Sequence, residues 1–236
     1  MTKKDLLLII PIAFFALYFC VGWLIDVKYI YYLKPFIIPT LMVFVAAKYN
    51  HLISWKFYLF AFLFYVGENL ILFSVQNPFL IKYALIIYLF SYSAAISLVI
   101  GYIKHLNFRL IVQRYTIFII IINCFFLILI LILLESSISD VFISYIIVLN
   151  VIASSLLGIF AVLYLNEKPN KKAFFYFFAA FTMILSDIFG ALCTYFYENT
   201  TMNFFERILH FVCFVFFILF VITSNSVLQF NNNKLD

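Results

Sequence analysis

Apolar residues in this chain run in long unbroken stretches, and polar residues gather in short intervals between them. The stretch TIFIIIINCFFLILILILL, residues 116–134, shows the pattern in its purest form. A membrane β-barrel needs short segments that alternate in polarity. These runs do not alternate and are far longer. Backbone buried in lipid must satisfy its own hydrogen bonds, so the runs predict helices despite their many β-branched residues. The pattern places spans at 6–25, 29–47, 54–76, 79–103, 115–134, 141–164, 173–196 and 205–227. Each can cross about 30 Å of hydrocarbon with some tilt. The expected fold is therefore all-α: an eight-transmembrane-helix bundle, one membrane domain over residues 1–236. The second span is the least regular, with Lys34, Pro35 and Pro39 inside it. Pro39 removes an intrahelical hydrogen bond and is expected to kink the helix.

Composition agrees. Hydrophobic residues make up 67% of the 236 and charged residues 11%, against roughly 25% charged in soluble domains. A soluble core of this size cannot hide so much apolar surface. Met1 to Asp5 is short and basic, and Leu6 to Ile25 follows as a full-length span. That span is too long for a signal-peptide core and lacks a small-residue cleavage site. Cys20, Cys124, Cys193 and Cys213 all fall in expected spans without CxxC spacing. They are read as small core residues rather than disulfides or metal ligands.

The basic residues set an orientation. With both termini cytoplasmic, eleven Lys and Arg lie on the cytoplasmic side: Lys3, Lys4, Lys48, Lys56, Lys104, Arg109, Arg114, Lys168, Lys171, Lys172 and Lys234. Four lie opposite: Lys28, Lys34, Lys82 and Arg207. This bias follows the positive-inside rule. It accounts for the basic loops and the net charge of +5, so no nucleic-acid partner is implied.

Two carboxylates fall deep in expected spans, Glu68 in the third and Asp187 in the seventh. A charge at such depth costs roughly 2.5–3.5 kcal/mol and usually faces the bundle interior. The functional reading is a headgroup pocket, a catalytic site or an ion path. The structural alternative is a buried pair or hydrogen-bonded network. Gly67 and Asn69 flank Glu68, while Ser186 precedes Asp187 and Gly190 follows it. Small residues let helices approach closely. Lys34 can meet a phosphate, pair with a carboxylate or snorkel to water. His210 and Tyr92 can hydrogen-bond a carboxylate or headgroup, or simply pack. Asn123, Asn150, Ser154 and Ser155 are read as interhelical glue. No HExxH, GxSxG, P-loop or dinucleotide motif is present.

Taken in order, these segments resemble the YhhN-like family, which includes the lysoplasmalogenases. LKPFIIPTLM is similar to the family's Lys-Pro segment and carries Lys34 and Pro35. FLFYVGENLIL resembles its Gly-Asp motif, with Glu68 at the aspartate. YLFSYSAAISL resembles its Ser-His segment, with Tyr92 at the histidine. FFAAFTMILSDIFGAL matches best and carries the Ser-Asp pair as Ser186 and Asp187. ERILHFVCFVFFILFVITS resembles the final helix, with His210 near a position usually held by glutamine.

The resemblance implies eight spans, a bacterial inner-membrane location and hydrolysis of the vinyl-ether bond of a lysophospholipid. Protonating the vinyl ether gives an oxocarbenium-like cation that water attacks. A buried carboxylic acid can supply the proton, and a second, ionised carboxylate can stabilise the cation or orient water. Asp187 and Glu68 are the expected catalytic pair, in unassigned order. Lys34, Tyr92, Ser186, His210 and Asn69 are the expected substrate contacts. No metal or organic cofactor is required. Two rivals stand beside this reading. One is a non-catalytic membrane subunit that keeps the fold and binds a membrane-protein partner, favoured by Tyr92 in place of histidine. The other is a small lipid-binding or transport protein.

Overall fold

The computed structural model describes residues 27–74, 77–103, 140–195 and 200–232, with isolated positions at 13, 16, 117, 121, 125, 128 and 132. Within these ranges, side chains are described at 35–74, 77–103, 140–193, 202 and 204–223. The expected spans at 6–25 and 115–134 lie outside the described residues apart from those isolated positions. Everywhere else a long apolar run was expected, a helix is found. The helices are α1 (Val27–Tyr49), α2 (Trp55–Ser74), α3 (Leu80–Ile100), α4 (Val141–Glu167), α5 (Lys171–Tyr195) and α6 (Thr200–Asn232). Among the described residues, five stretches are long and apolar enough to cross a membrane: Trp55–Ser74, Leu80–Ile100, Val141–Glu167, Lys171–Cys193 and Phe204–Thr223. The chain is an all-α polytopic membrane protein.

The chain divides within α3 into two compact units, Met1–Ser91 and Tyr92–Asp236. In the first unit, α1 packs on α2. Helix α1 continues through Pro35 and Pro39. The Thr40 hydroxyl donates to the Ile37 carbonyl at 2.9 Å beside the second proline. One 3-10 turn, Asn50–Leu52, leads from α1 toward α2. The Tyr58 hydroxyl fastens that turn by donating to Asn50 Oδ1 at 2.8 Å.

Nearly every residue of α2 is apolar, so hydropathy cannot say which face is buried. The buried positions are Phe57, Phe60, Ala61, Phe64, Gly67 and Glu68. They recur at intervals of three and four, which is one face of a helix. Phe57, Phe60 and Phe64 stand in a row, with centroids 6.2 and 5.8 Å apart along it. Phe64 meets the ring of Tyr88 edge-on at 5.8 Å. Glu68 thus continues an aromatic stripe and belongs to the packed face.

In the second unit α5 is the central element, packed on both α4 and α6. Its buried stripe is Ala173, Tyr176, Ala179, Ala180, Met183 and Ser186. Its exposed face carries Phe174, Phe178 and Phe181. Small residues face protein and large phenyl rings face outward. This is the arrangement expected when lipid is as apolar as any core, so that close backbone approach rather than burial drives association. Asn170 Oδ1 caps the start of α5 by accepting from the Ala173 amide at 2.8 Å. Asp140 does the same for α4, accepting from the amides of Phe142 and Ile143.

At one end of this unit Tyr164, Tyr176, Phe217 and Phe220 form a buried aromatic cluster. Tyr176 lies 5.1 Å from Phe220 and 5.8 Å from Phe217, and meets Tyr164 edge-on at 6.1 Å. Its hydroxyl donates to the Ala95 carbonyl on α3 at 3.0 Å. Interhelical hydrogen bonds in membranes average only about 0.6 kcal/mol, with a maximum near 1.7. Ring packing therefore outweighs the hydroxyl. Tyr176→Phe is expected to cost about 0.6 kcal/mol, and Tyr176→Ala on the order of 3 kcal/mol through the cavity it opens. Reversible unfolding in mixed micelles measures both, and equal costs would assign the stability to the hydrogen bond instead.

Candidate functional site

Each of the two deep carboxyl groups has a tyrosine hydroxyl on it, and both tyrosines come from α3. In the first unit Tyr88 donates to Glu68 Oε1. Glu68 is 7% exposed and Tyr88 9%. Helix geometry explains how the contact forms. Gly67 leaves room for the Tyr88 ring, because a Cβ at position 67 would lie 3.3 Å from two of its carbons. The glycine that precedes the carboxylate thus admits the ring whose hydroxyl reaches it. Asn69, an expected substrate contact, donates through Nδ2 to the Tyr65 carbonyl of its own helix at 2.7 Å.

In the second unit the Tyr92 hydroxyl donates to Asp187 Oδ2 at 2.6 Å. This bond joins α3 to α5 across 95 residues of sequence. Beside Asp187, Ser186 is 2% exposed. Its hydroxyl donates to the Glu206 carbonyl on α6 at 3.0 Å and lies 3.2 Å from His210 Nδ1. His210 Nδ1 is also 3.9 Å from Glu206 Oε1. A hydroxyl has one proton. If Ser186 gives it to the carbonyl, Nδ1 carries hydrogen and donates to Oγ, the tautomer that also faces the Glu206 carboxylate. Gly190, one turn beyond Ser186, sits where an added Cβ would make ordinary contact with Glu206 Cγ at 3.6 Å. Ser186 and Gly190 are therefore the small residues along which α6 lies against α5.

The sequence-predicted residues divide accordingly. In the second unit Tyr92 meets Asp187 and Ser186 meets His210, two pairs built on adjacent positions of α5. Glu68 is buried in the first unit, where Asn69 bonds its own helix. Lys34 lies on α1, with its side chain outside the described residues. Two residues escaped the sequence reading. Tyr88 could have been found as the residue one turn before Tyr92 on α3. Glu206 stands four residues before His210 on a helix that begins at Thr200. Cys213 is buried and Cys193 half-buried. Among the described residues, no three of His, Cys, Asp and Glu form a group that could hold a metal ion.

The magnitudes bear on what these carboxyls are for. A charged side chain at mid-membrane costs roughly 2.5–3.5 kcal/mol. One tyrosine hydrogen bond contributes about 0.6 kcal/mol, and at most about 1.7. One such bond is smaller than the cost of a charge at that depth. Chemically, a carboxyl bonded to a phenol can be oriented by it and can exchange a proton.

An integral membrane protein of helical class, with carboxyl groups held between its helices, is thus the class defined by fold and site. Compared with protein-family models, with curated proteins and with solved structures, the chain matches none.

Gly67 offers a direct test of the first carboxyl's surroundings. Gly67→Ala needs the Tyr88 ring to give by a few tenths of an ångström. Gly67→Val is expected to cost about 1–3 kcal/mol by overpacking. In a Tyr88→Leu background that penalty should shrink, giving a non-zero coupling in a double-mutant cycle. Additive costs would show that Tyr88 is not what limits residue 67.

Proposed function

We propose that this chain is a membrane-embedded hydrolase of lysoplasmalogenase type, cleaving the vinyl ether of a lysophospholipid. The observation that carries the reading is the Tyr92–Asp187 hydrogen bond, which orients a carboxyl group at depth within an apolar helix. The resemblance of the Lys34, Glu68 and Ser186–Asp187 segments to the YhhN-like family supports it. The acid adds a proton to the outer vinyl carbon, leaving a cation on the carbon next to the ether oxygen. Water adds to that carbon and returns a proton to carboxylate. The hemiacetal then collapses, breaking the carbon–oxygen bond to release a fatty aldehyde and a glycerophospho-alcohol. Asp187 takes part as acid or as cation stabiliser, with Tyr92 holding it. Glu68 is a second carboxyl of the same chemical kind.

Aldehyde release from lysoplasmalogen by the purified protein tests this. Asp187→Asn is expected to lower the rate roughly 10²–10⁴-fold, the range of one general acid or base. Tyr92→Phe should lower it less, and Glu68→Gln reports separately on the second carboxyl. A wild type that releases no aldehyde, or an Asp187→Asn variant as fast as wild type, would overturn the assignment.

A non-catalytic scaffold is favoured by one observation, that each deep carboxyl has a tyrosine on it. In that case Asp187→Asn changes the unfolding midpoint, and no aldehyde is released by any variant.

The topology belongs to the same proposal: eight spans in a bacterial inner membrane, both termini cytoplasmic. The eleven-to-four distribution of basic residues supports it. With the four native cysteines replaced, single cysteines at Lys3 and Lys234 should both react with a permeant maleimide in whole cells and resist an impermeant one. Labelling of either by the impermeant reagent would break the eight-span, both-inside arrangement.

A further inference from the structure

At the α4–α5 turn two ammonium groups converge on one aromatic ring. Lys172 Nζ lies 3.5 Å from the centroid of Tyr102, and Lys168 Nζ lies 5.7 Å from the same centroid. Lys172 also lies 5.0 Å from the centroid of Phe220 on α6. Tyr102 in turn packs on Tyr164 at 5.7 Å. Lys172 is 8% exposed, which is rare for a lysine. The turn joins two stretches that are each long and apolar enough to cross a membrane. It therefore sits at a membrane boundary, along with Tyr102 in the turn that follows α3.

Aromatic faces position these cations. A ring offers a quadrupole worth about 0.5–2 kcal/mol per cation and no net charge. Residues 167–172 contain Lys168, Lys171 and Lys172 against Glu167, a formal +2. Rigid rings fix where two of the ammoniums stand, so little side-chain freedom remains to be lost when an anion arrives. An anion that bridges Lys168 and Lys172 meets two positioned charges at once. At a bilayer surface the anion at hand is the phosphate of an acidic lipid.

We infer that Lys168 and Lys172, held on the ring of Tyr102, form a binding site for the phosphate of an anionic phospholipid headgroup. Phe220 and Tyr164 support the site from behind, and the lipid's acyl chains lie along the outward phenyl face of α5, which begins at Phe174.

Native mass spectrometry of the full chain in detergent tests this, with phosphatidylglycerol or phosphatidylcholine added at equal concentration. The wild type should retain phosphatidylglycerol at least five-fold better. Lys168→Gln, which leaves the buried lysine in place, should weaken that retention roughly five-fold. K168Q/K172M should abolish the preference, and K168R/K172R should keep it. If the K172M combination does not fold, Lys168→Gln alone still decides. Equal retention of the two lipids by the wild type, or unchanged preference in Lys168→Gln, would overturn the site. Displacement of phosphatidylglycerol by millimolar inorganic phosphate would overturn the lipid as its source.

Discussion

Water is missing from the hydrocarbon interior, and every polar group placed there must find its partner within the protein. The backbone meets this demand first, by coiling. That is why Ile- and Val-rich runs with strand-like propensity are helices here, and why α1 stays helical through two prolines. Side chains meet it next. Thr40, Ser74, Asn69, Asn150 and Thr182 each donate to a carbonyl three or four residues back on their own helix. Where a side chain cannot return to its own backbone, it reaches across, and those crossings define the candidate site. Glu68 with Tyr88 and Asp187 with Tyr92 are of this second kind, as is Ser186 with Glu206 and His210.

Hydropathy located the helices because it reports on the solvent. Six of the expected spans coincide with helices to within a few residues at each end, and α1, α4 and α6 outlast theirs because helices project beyond hydrocarbon. The same signal says nothing of which face is inside, since both faces are apolar. On α5 the alanines mark the inside and the exposed phenylalanines the outside, the reverse of what a soluble helix would suggest. On α2 the inside is itself aromatic, the row Phe57, Phe60, Phe64 that leads to Glu68, and Phe62 and Phe73 of the same helix are exposed, so residue type alone does not mark the buried face.

The hydrogen-bond partners were not readable in the same way. Asp187 and Ser186 were visible as polar residues in a hydrophobic run, but their partners come from α3 and α6, at sequence separations of 95 and about 20 residues. Among 17 tyrosines, Tyr92 stood out through its resemblance position, and which carboxylate it meets is set by packing. Glu206 lies near the start of its helix, where a loop and a first helical turn have the same composition. Lysines at the α4–α5 turn looked like ordinary topology signals, and only the geometry shows two of them sharing one ring.

Helix α5 is fastened near both ends. Lys172 and Tyr176 hold one end to aromatic rings and to the Ala95 carbonyl, and Ser186 holds the other to α6. Fourteen residues separate Lys172 from Ser186, about 21 Å at 1.5 Å per residue. A rod clamped at two points that far apart cannot turn about its own axis without releasing one clamp. The backbone at Asp187 therefore has no independent swivel: a turn of α5 that carried it would have to take α6 along, as one lever.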